Sequence, residues 1–465
     1  MTRLSGIALL ALLVAAALKV TTLNQPLTEN FAWRQTQTAW TARIYHEQGI
    51  DLLYPQVPVH GPPWYFGFEF PLFQAMGAIL MDLGLPTDLA MRTLGLATFL
   101  LTGWLLFGLI RRLAGPVAAL ATLLAFLFSP FGLLWGRTSL IEYLATAAAV
   151  GFLWMGVQWL DDRRRSDYAL AMGAGLVALL VKITTGAFYL LPLLFYRPAE
   201  GSVRDRWLPL AALITVPAAA GRAWIAWTDA LKASSPATVF QTSGQMMDFN
   251  FGSLAMRWDP EVLSPIAAAL LIGLGGFALI LWLPMALARL RGCEQWPFFT
   301  ALFVSAIVLP PIILTPLYST QNYYPAAISP ALAALSGLGV GWAWERRSNV
   351  VGRLGLAGGI ALWAFALILT RDLWLEAYRP VVDRDRSLEA AAFIRERTEP
   401  GDWVVVDGRF WDPTVLYYAD RRGYMLDPRR EDQPTVDELM RDERYRLAVS
   451  CPYQTDCGVV ADRSR

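Results

Sequence analysis

Residues 168–196 read YALAMGAGLVALLVKITTGAFYLLPLLFY, an apolar run with a single charge, Lys182, at its centre. The run fits either one long helix or two short helices folded back at the lysine, and the choice sets the direction of every later segment. A bilayer core about 30 Å thick needs about 20 apolar residues of helix. Such runs occur at 4–23, 93–110, 116–135, 140–160, 208–227, 262–290, 297–317, 323–344 and 351–368. Folding the central run at Lys182 adds spans at 168–181 and 183–196, eleven in all. With the N-terminus inside, Arg111, Arg112, Arg163, Arg164, Arg165, Arg197, Arg204, Arg206, Arg289, Arg291, Arg346, Arg347 and Arg353 then share the cytoplasmic side, where short loops collect basic residues. A single helix inverts everything downstream and sends most of those arginines outward, so the sequence predicts the hairpin. Each leg has about 14 residues, or about 21 Å at 1.5 Å per residue, too short for a full crossing. Lys182 is therefore expected in a dip or cavity open to the outer side, where an ionisable group usually marks function.

Composition agrees. Of 465 residues, 55% are hydrophobic and 17% charged, with a mean hydropathy of +0.39. Soluble domains carry about 25% charge. The 39 basic and 38 acidic residues leave a net charge of +1, which provides no global field for nucleic acid. Only Lys19, Lys182 and Lys232 are lysines. The first span is expected to be an uncleaved anchor, not a signal peptide.

The predicted fold is an α-helical polytopic membrane protein with a membrane domain over 1–371 and a small extracytoplasmic α/β domain over 372–465. Two outer loops, 24–87 and 228–261, belong to the first. Within 24–87, Trp33, Gln37, Trp40 and Ile44 recur at helical spacing and Gly49 is a plausible stop, which predicts an interfacial helix with its tryptophans toward lipid or protein. Residues 54–71 carry five prolines and read as a shaped loop. In the tail, 387–399 and 434–445 read as helices and 403–406 and 446–450 as strands. Cys451 and Cys457 fit a disulfide or two free thiols equally well. No histidine or cysteine cluster has metal-ligand spacing, and Walker, Rossmann and Gly-x-Ser-x-Gly motifs are absent.

A carboxylate facing a polar cavity can act as a base, and an adjacent Arg or Lys can hold a phosphate leaving group. Outer-side stretches supply these types. Glu29 precedes the interfacial helix and Arg34 sits in its first turn, where helix amides also favour an anion. Glu69 lies among aromatics before Pro71. Arg137 and Glu142 flank the mouth of the fourth span, Lys182 ends the hairpin, and Tyr323 and Tyr324 open the tenth span. Asp383-Arg384-Asp385 reads as a solvated tether.

The chain resembles the GT-C membrane glycosyltransferases, specifically the family 39 group with the bacterial aminoarabinose transferases and protein O-mannosyltransferases. Five features carry the likeness: Trp33-Arg34-Gln35-Thr36-Gln37-Thr38-Ala39, Glu69-Phe70-Pro71, the turn from Arg137 to Glu142, Lys182, and Tyr323-Tyr324-Pro325. Their order and placement run from Trp33 to Pro325, and Tyr417 to Gly423 also resembles tails in the group. The resemblance implies a multi-pass enzyme of the bacterial cytoplasmic membrane, with its N-terminus cytoplasmic and its tail extracytoplasmic. It would transfer a sugar, with inversion, from a polyprenyl-phosphate-linked donor to a lipid, glycan or protein acceptor at the outer leaflet. Membrane lipids are its other partners; neither nucleic acid nor a cofactor is expected, and a divalent cation is compatible with the sequence but not indicated by it.

Relatives carry an acid one or two positions before Trp-Arg-Gln, where this chain has Phe31 and Ala32. Glu29 is therefore the first expected base and Glu69 the second. Glu142 would hold the acceptor or orient a basic residue. Arg34, Lys182 and Arg137 are the expected ligands of the lipid phosphate. Trp33, Gln35, Trp64, Tyr65, Phe66, Tyr323 and Tyr324 would line the donor and acceptor pockets. Two other readings compete. A secondary transporter fits the intramembrane charge and the proline-broken helices, and a non-catalytic polyprenyl-lipid-binding protein of GT-C type fits the missing acid.

Overall fold

The computed structural model describes residues 3–198 and 207–463; Arg204 and Arg206 lie outside them. Among the described residues seven helical stretches are long and apolar enough to cross a membrane: Arg3–Val20, Thr87–Ala114, Glu142–Asp162, Arg165–Phe195, Trp207–Ala233, Trp296–Ile313 and Val350–Leu369. An eighth forms if Pro260–Gly273 and Gly276–Leu290, bent by 77° at their junction, count as one. This is fewer than the eleven read from hydropathy, and broken helices account for much of the difference. The expected span 116–135 divides into Pro116–Leu127 and Pro130–Trp135, because Pro130 has no N–H to continue the first helix. The expected span 323–344 begins as a 3-10 turn at Tyr324–Ala327 and leaves a helix of only 17 residues, Ser329–Glu345.

Arg165–Leu190 is continuous except at Lys182, whose backbone leaves the helical region (φ −156°, ψ 93°). The chain reverses there. A Cβ on Gly186 would stand 2.8 Å from the Ala178 carbonyl carbon, a contact impossible between residues eight apart on one straight helix, which are about 12 Å apart along the axis. At the far end the Tyr168 ring packs on Trp159 at 5.1 Å, and the Tyr196 hydroxyl donates to Asp161 at 2.8 Å. Both legs thus lie beside Glu142–Asp162, with Lys182 at the Glu142 end. The Asp161 end carries ion pairs: Arg112 bonds Asp161 and Asp162 at 2.9 Å each, and Arg289 bonds Glu345 at 2.7 Å.

The tail holds a four-stranded sheet, β1 (Trp403–Asp407), β2 (Arg422–Met425), β3 (Tyr445–Ser450) and β4 (Gly458–Asp462), in the order β2-β1-β3-β4. β1 runs parallel to β2 and β3, with Val405 opposite Tyr424 and Ala448, and β4 is antiparallel to β3. Val404, Val405 and Val406 are all buried, as a central parallel strand covered on both faces requires. The expected tail helices are shorter than read, Ser387–Arg395 and Val436–Met440; the second begins at a Thr435/Glu438 capping box. Cys451 and Cys457 are disulfide-bonded.

The β2 edge does not face solvent. Gly61 N–H donates to the Gly423 carbonyl at 3.2 Å, and Gly423 and Met425 N–H donate to the Pro58 and Val59 carbonyls at 3.1 and 2.8 Å. The first loop therefore adds a strand-like segment and covers an edge that would otherwise template aggregation. The helix Ala32–Gln48 ends at Gly49, whose φ of +92° suits glycine. Its tryptophans turn to protein: Trp40 packs on Tyr417, and Trp33 meets Trp411 at 4.9 Å. Loop and tail share one apolar core that includes Trp40, Phe66, Phe73, Val406, Tyr417 and Leu447. The Tyr417 and Tyr418 hydroxyls both donate to Asp88, at 2.5 and 2.8 Å, pinning the tail to the helix Thr87–Ala114.

Candidate active site

Phe31 takes a left-handed backbone (φ 56°) and starts the helix that carries Arg34 in its first turn. Arg34 reaches across to Glu69: Nη2 donates to Oε2 at 2.9 Å, while Nη1 donates to Gln37 at 2.8 Å. Gln74, one turn into Leu72–Asp82, donates to the other Glu69 oxygen at 2.9 Å. The guanidinium lies 5.2 Å from the centre of the Phe68 ring and 5.9 Å from that of Trp33. Burial works against its charge, but Glu69, Tyr323 and Glu142 outweigh burial and raise its pKa, so Arg34 is a fixed cation.

A second ion pair faces the same place. Lys182 Nζ donates to Glu142 Oε1, and it lies 4.0 Å from the centre of the Tyr324 ring and 5.1 Å from that of Tyr323. Glu142 opens its helix and is only 3% exposed, and its second oxygen, Oε2, has no hydrogen-bond partner. The break at Lys182 is what delivers the ammonium here: a continuous helix would carry the residues after 182 past the end of Glu142–Asp162. Tyr323 is wedged against Phe31 at 5.0 Å and Trp135 at 6.2 Å. Two cations, two carboxylates and two tyrosines thus converge, with zero net charge among the four ionised groups. Such paired, buried charges persist where geometry repeatedly satisfies them.

Glu29 and Arg137, the expected first base and one expected phosphate ligand, are committed elsewhere. Glu29 accepts from Arg92 at 2.5 Å and from Arg137 at 2.8 and 3.3 Å. Arg137 also donates to the Ala377 carbonyl at 2.6 and 3.1 Å, and Arg92 to the Gln25 and Pro26 carbonyls at 3.1 and 2.7 Å. Burial pushes the Glu29 carboxyl up, but the two guanidinium charges prevail and hold it below the usual carboxylate range. This is a clasp joining the first loop, the helix Thr87–Ala114, the turn before Glu142–Asp162 and the start of the tail. The Gln35 amide donates to the Asn30 carbonyl and accepts from the Ser139 N–H, at 3.0 Å each. Trp64 packs on Trp403 of β1 at 4.9 Å and Tyr65 on Tyr54 at 5.1 Å.

Sequence reasoning missed Arg92, Gln74 and Trp411, and read Gln37 only as part of the interfacial helix, not as the partner of Arg34. Arg92 had a signal, a lone arginine entering an apolar run, which demands a buried partner. Trp411 comes from the tail and stacks on Phe68 at 6.0 Å with 19° between planes; nothing in its local sequence announces that. Among the described residues no three His, Cys, Asp or Glu side chains are grouped to hold a metal ion.

Residues 68–225, which contain Glu69, Glu142 and the Lys182 turn, match the family model described as dolichyl-phosphate-mannose-protein mannosyltransferase. ArnT from Cupriavidus metallidurans in the apo state is 17% identical, with 97% of this chain and 93% of that chain covered and a TM-score of 0.66. The chain has the GT-C fold of the protein O-mannosyltransferase and ArnT-like group. The same ArnT bound to undecaprenyl phosphate superposes with a TM-score of 0.62, at 17% identity over 96% of this chain and 93% of that one. The archaeal oligosaccharyltransferase AglB from Archaeoglobus fulgidus, in complex with an inhibitory peptide and a dolichol-phosphate, gives 0.61 at 12% identity, over 96% of this chain and 69% of AglB. No curated protein sequence matches the chain. In this GT-C fold Arg34 precedes the matched segment, and Tyr323, Tyr324 and Trp411 follow it, so the cluster is assembled from parts far apart in the chain.

Proposed function

We propose that this protein is an inverting glycosyltransferase that moves a sugar from a polyprenyl-phosphate-linked donor to a hydroxyl of a lipid, glycan or protein acceptor at the outer face of the bacterial cytoplasmic membrane. The observation that carries the reading is the meeting of Arg34–Glu69 and Lys182–Glu142 at the Tyr323-Tyr324 turn. The gathering of Arg112, Arg163, Arg164 and Arg289 toward the opposite end of the bundle supports a cytoplasmic N-terminus and an extracytoplasmic tail.

In the proposed reaction the donor phosphate draws Arg34 and Lys182 toward itself. Glu142, whose Oε2 has no partner, takes the acceptor's hydroxyl proton as the hydroxyl oxygen attacks the anomeric carbon. The bond from that carbon to the phosphate oxygen breaks and the polyprenyl phosphate leaves as an anion, stabilised by charge-assisted hydrogen bonds that strengthen as its charge develops. One displacement inverts the anomeric centre. Glu69 aims Arg34, and Trp33, Phe68 and the two tyrosines wall the site. Glu29 takes no part in the chemistry, because the clasp holds it.

The test is to incubate purified protein with a panel of polyprenyl-phosphate sugars and follow sugar release or transfer. Arg34→Gln and Lys182→Gln should each abolish turnover in folded protein. Full activity in both variants would remove the phosphate site, and no use of any lipid-linked sugar by the parent protein would remove the reading.

A further inference from the structure

All three lysines of this arginine-rich chain are buried: Lys19 is 1% exposed, Lys182 8% and Lys232 6%. Lys19 spends its ammonium on the carbonyls of Gly132 and Leu133 and the hydroxyl of Tyr378, at 2.8, 2.9 and 3.2 Å, closing a helix end. Lys182 belongs to the site already described. Lys232 sits in the last turn of Trp207–Ala233, and its Nζ lies 5.8 Å from the centre of the Phe68 ring, the same ring that flanks Arg34 at 5.2 Å. The helix and residues 67–68 of the first loop are in tight register there: the Trp224 indole donates to the Phe68 carbonyl at 3.2 Å, and a Cβ on Gly67 would touch Thr228 at 3.0 Å.

Its ion pair is with Asp229, one turn earlier, at a loose 3.3 Å. Asp229 is held by Ser243 through both the backbone N–H, at 2.8 Å, and the hydroxyl. An ammonium carries three donors, so the pair with Asp229 leaves capacity directed at Phe68. Phe68 is itself half-buried, between Glu69, which binds Arg34, and Gly67.

We propose that Lys232 is a further binding residue for the phosphate of the polyprenyl-linked donor, acting with Arg34 across Phe68; this rests on the function proposed above. A lysine suits the position because its compact point charge can follow a phosphate oxygen, whereas a guanidinium demands planar, bidentate geometry.

The experiment measures binding of undecaprenyl phosphate and of uncharged undecaprenol to the full-length protein in detergent, with thermal melting as the check on folding. The parent protein should prefer the phosphate lipid. Lys232→Gln should weaken phosphate-lipid binding roughly tenfold or more, the loss of one charge-assisted bond, and leave undecaprenol binding unchanged. Lys232→Arg should recover part of the loss, and Asp229→Asn, which frees the ammonium, should bind at least as tightly as the parent. A folded Lys232→Gln protein with parental phosphate-lipid affinity overturns the proposal while leaving the function intact. So does Asp229→Asn weakening binding as much as Lys232→Gln, since that marks the pair as structural. A parent protein with no preference for the phosphate lipid overturns both.

Discussion

Lys182 and Glu142 form a buried ion pair at the point where a helical hairpin reverses beside the mouth of another helix. The pair does two jobs at once, fixing the turn and storing a cation and a carboxylate at the site. Removing one partner strands the other charge, at a cost of about 3–5 kcal/mol. Lys182→Met should therefore lower thermal stability sharply. The double variant Lys182→Met/Glu142→Leu should recover much of that stability with no turnover. If the double variant melts no higher than the single, the coupling assigned to the pair is absent.

The clasp predicts a different pattern. Glu29→Gln leaves Arg92 and Arg137 buried without their anion, so stability should fall by several kcal/mol. Protein that remains folded should retain donor binding, unlike Arg34→Gln. The pH dependence has a definite sign. In the folded protein Arg92 and Arg137 hold the Glu29 carboxyl below its ordinary pKa, so its contribution is fully present above that ordinary value and is lost as pH falls through the lowered one. Melting temperature followed below pH 5 should show an acid-dependent loss in the parent that is smaller in Glu29→Gln.

His60 sets a second, higher pH window. Burial, and then the charge of Arg430, push its pKa down to about 3 from 6.5, with Asp427 opposing. The ring is 6% exposed and is packed by Phe66, Phe240 and Tyr424. The unfolded chain takes up the proton first, so stability is greatest above about 6.5 and declines as pH falls toward 3, by at most about 1.4 kcal/mol per pH unit. His60→Phe should flatten the profile between pH 6.5 and 4.5, where Glu29 contributes little. An unchanged slope would mean that the ring titrates normally.

The hairpin itself is open to a steric test. Gly186→Ala places a methyl 2.8 Å from the Ala178 carbonyl carbon, whereas a Cβ at Gly173 meets nothing within 4 Å. Gly186→Ala should cost about 1–3 kcal/mol by overpacking, and Gly173→Ala should be neutral or slightly stabilising. Equal melting temperatures for the two variants would contradict the close approach of the legs.

Much of this arrangement was legible in the sequence because it rests on long-wavelength signals. The arginine distribution required the reversal at Lys182, and helical spacing with Gly49 located the interfacial helix. What could not be read are pairings between distant segments. Glu29 looked available because its partners Arg92 and Arg137 are 63 and 108 residues away. Four-residue β2 is too short to declare itself, and the neighbour of its edge, 58–61, is a proline-rich loop with no strand pattern. Trp411 joins Phe68 only through the shared core of loop and tail. The span count suffered for the opposite reason: hydropathy runs straight through Pro130 and the 3-10 turn at Tyr324–Ala327, where the backbone does not.

The seam between residues 58–61 and β2 also bears on how the molecule is made. At about 5–20 residues per second of synthesis, the first loop waits roughly tens of seconds for the β2 strand that completes it. Until then it has an open edge, and Phe68 lacks the indole that stacks on it. The wall that Trp411 supplies is thus deferred to the last part of translation.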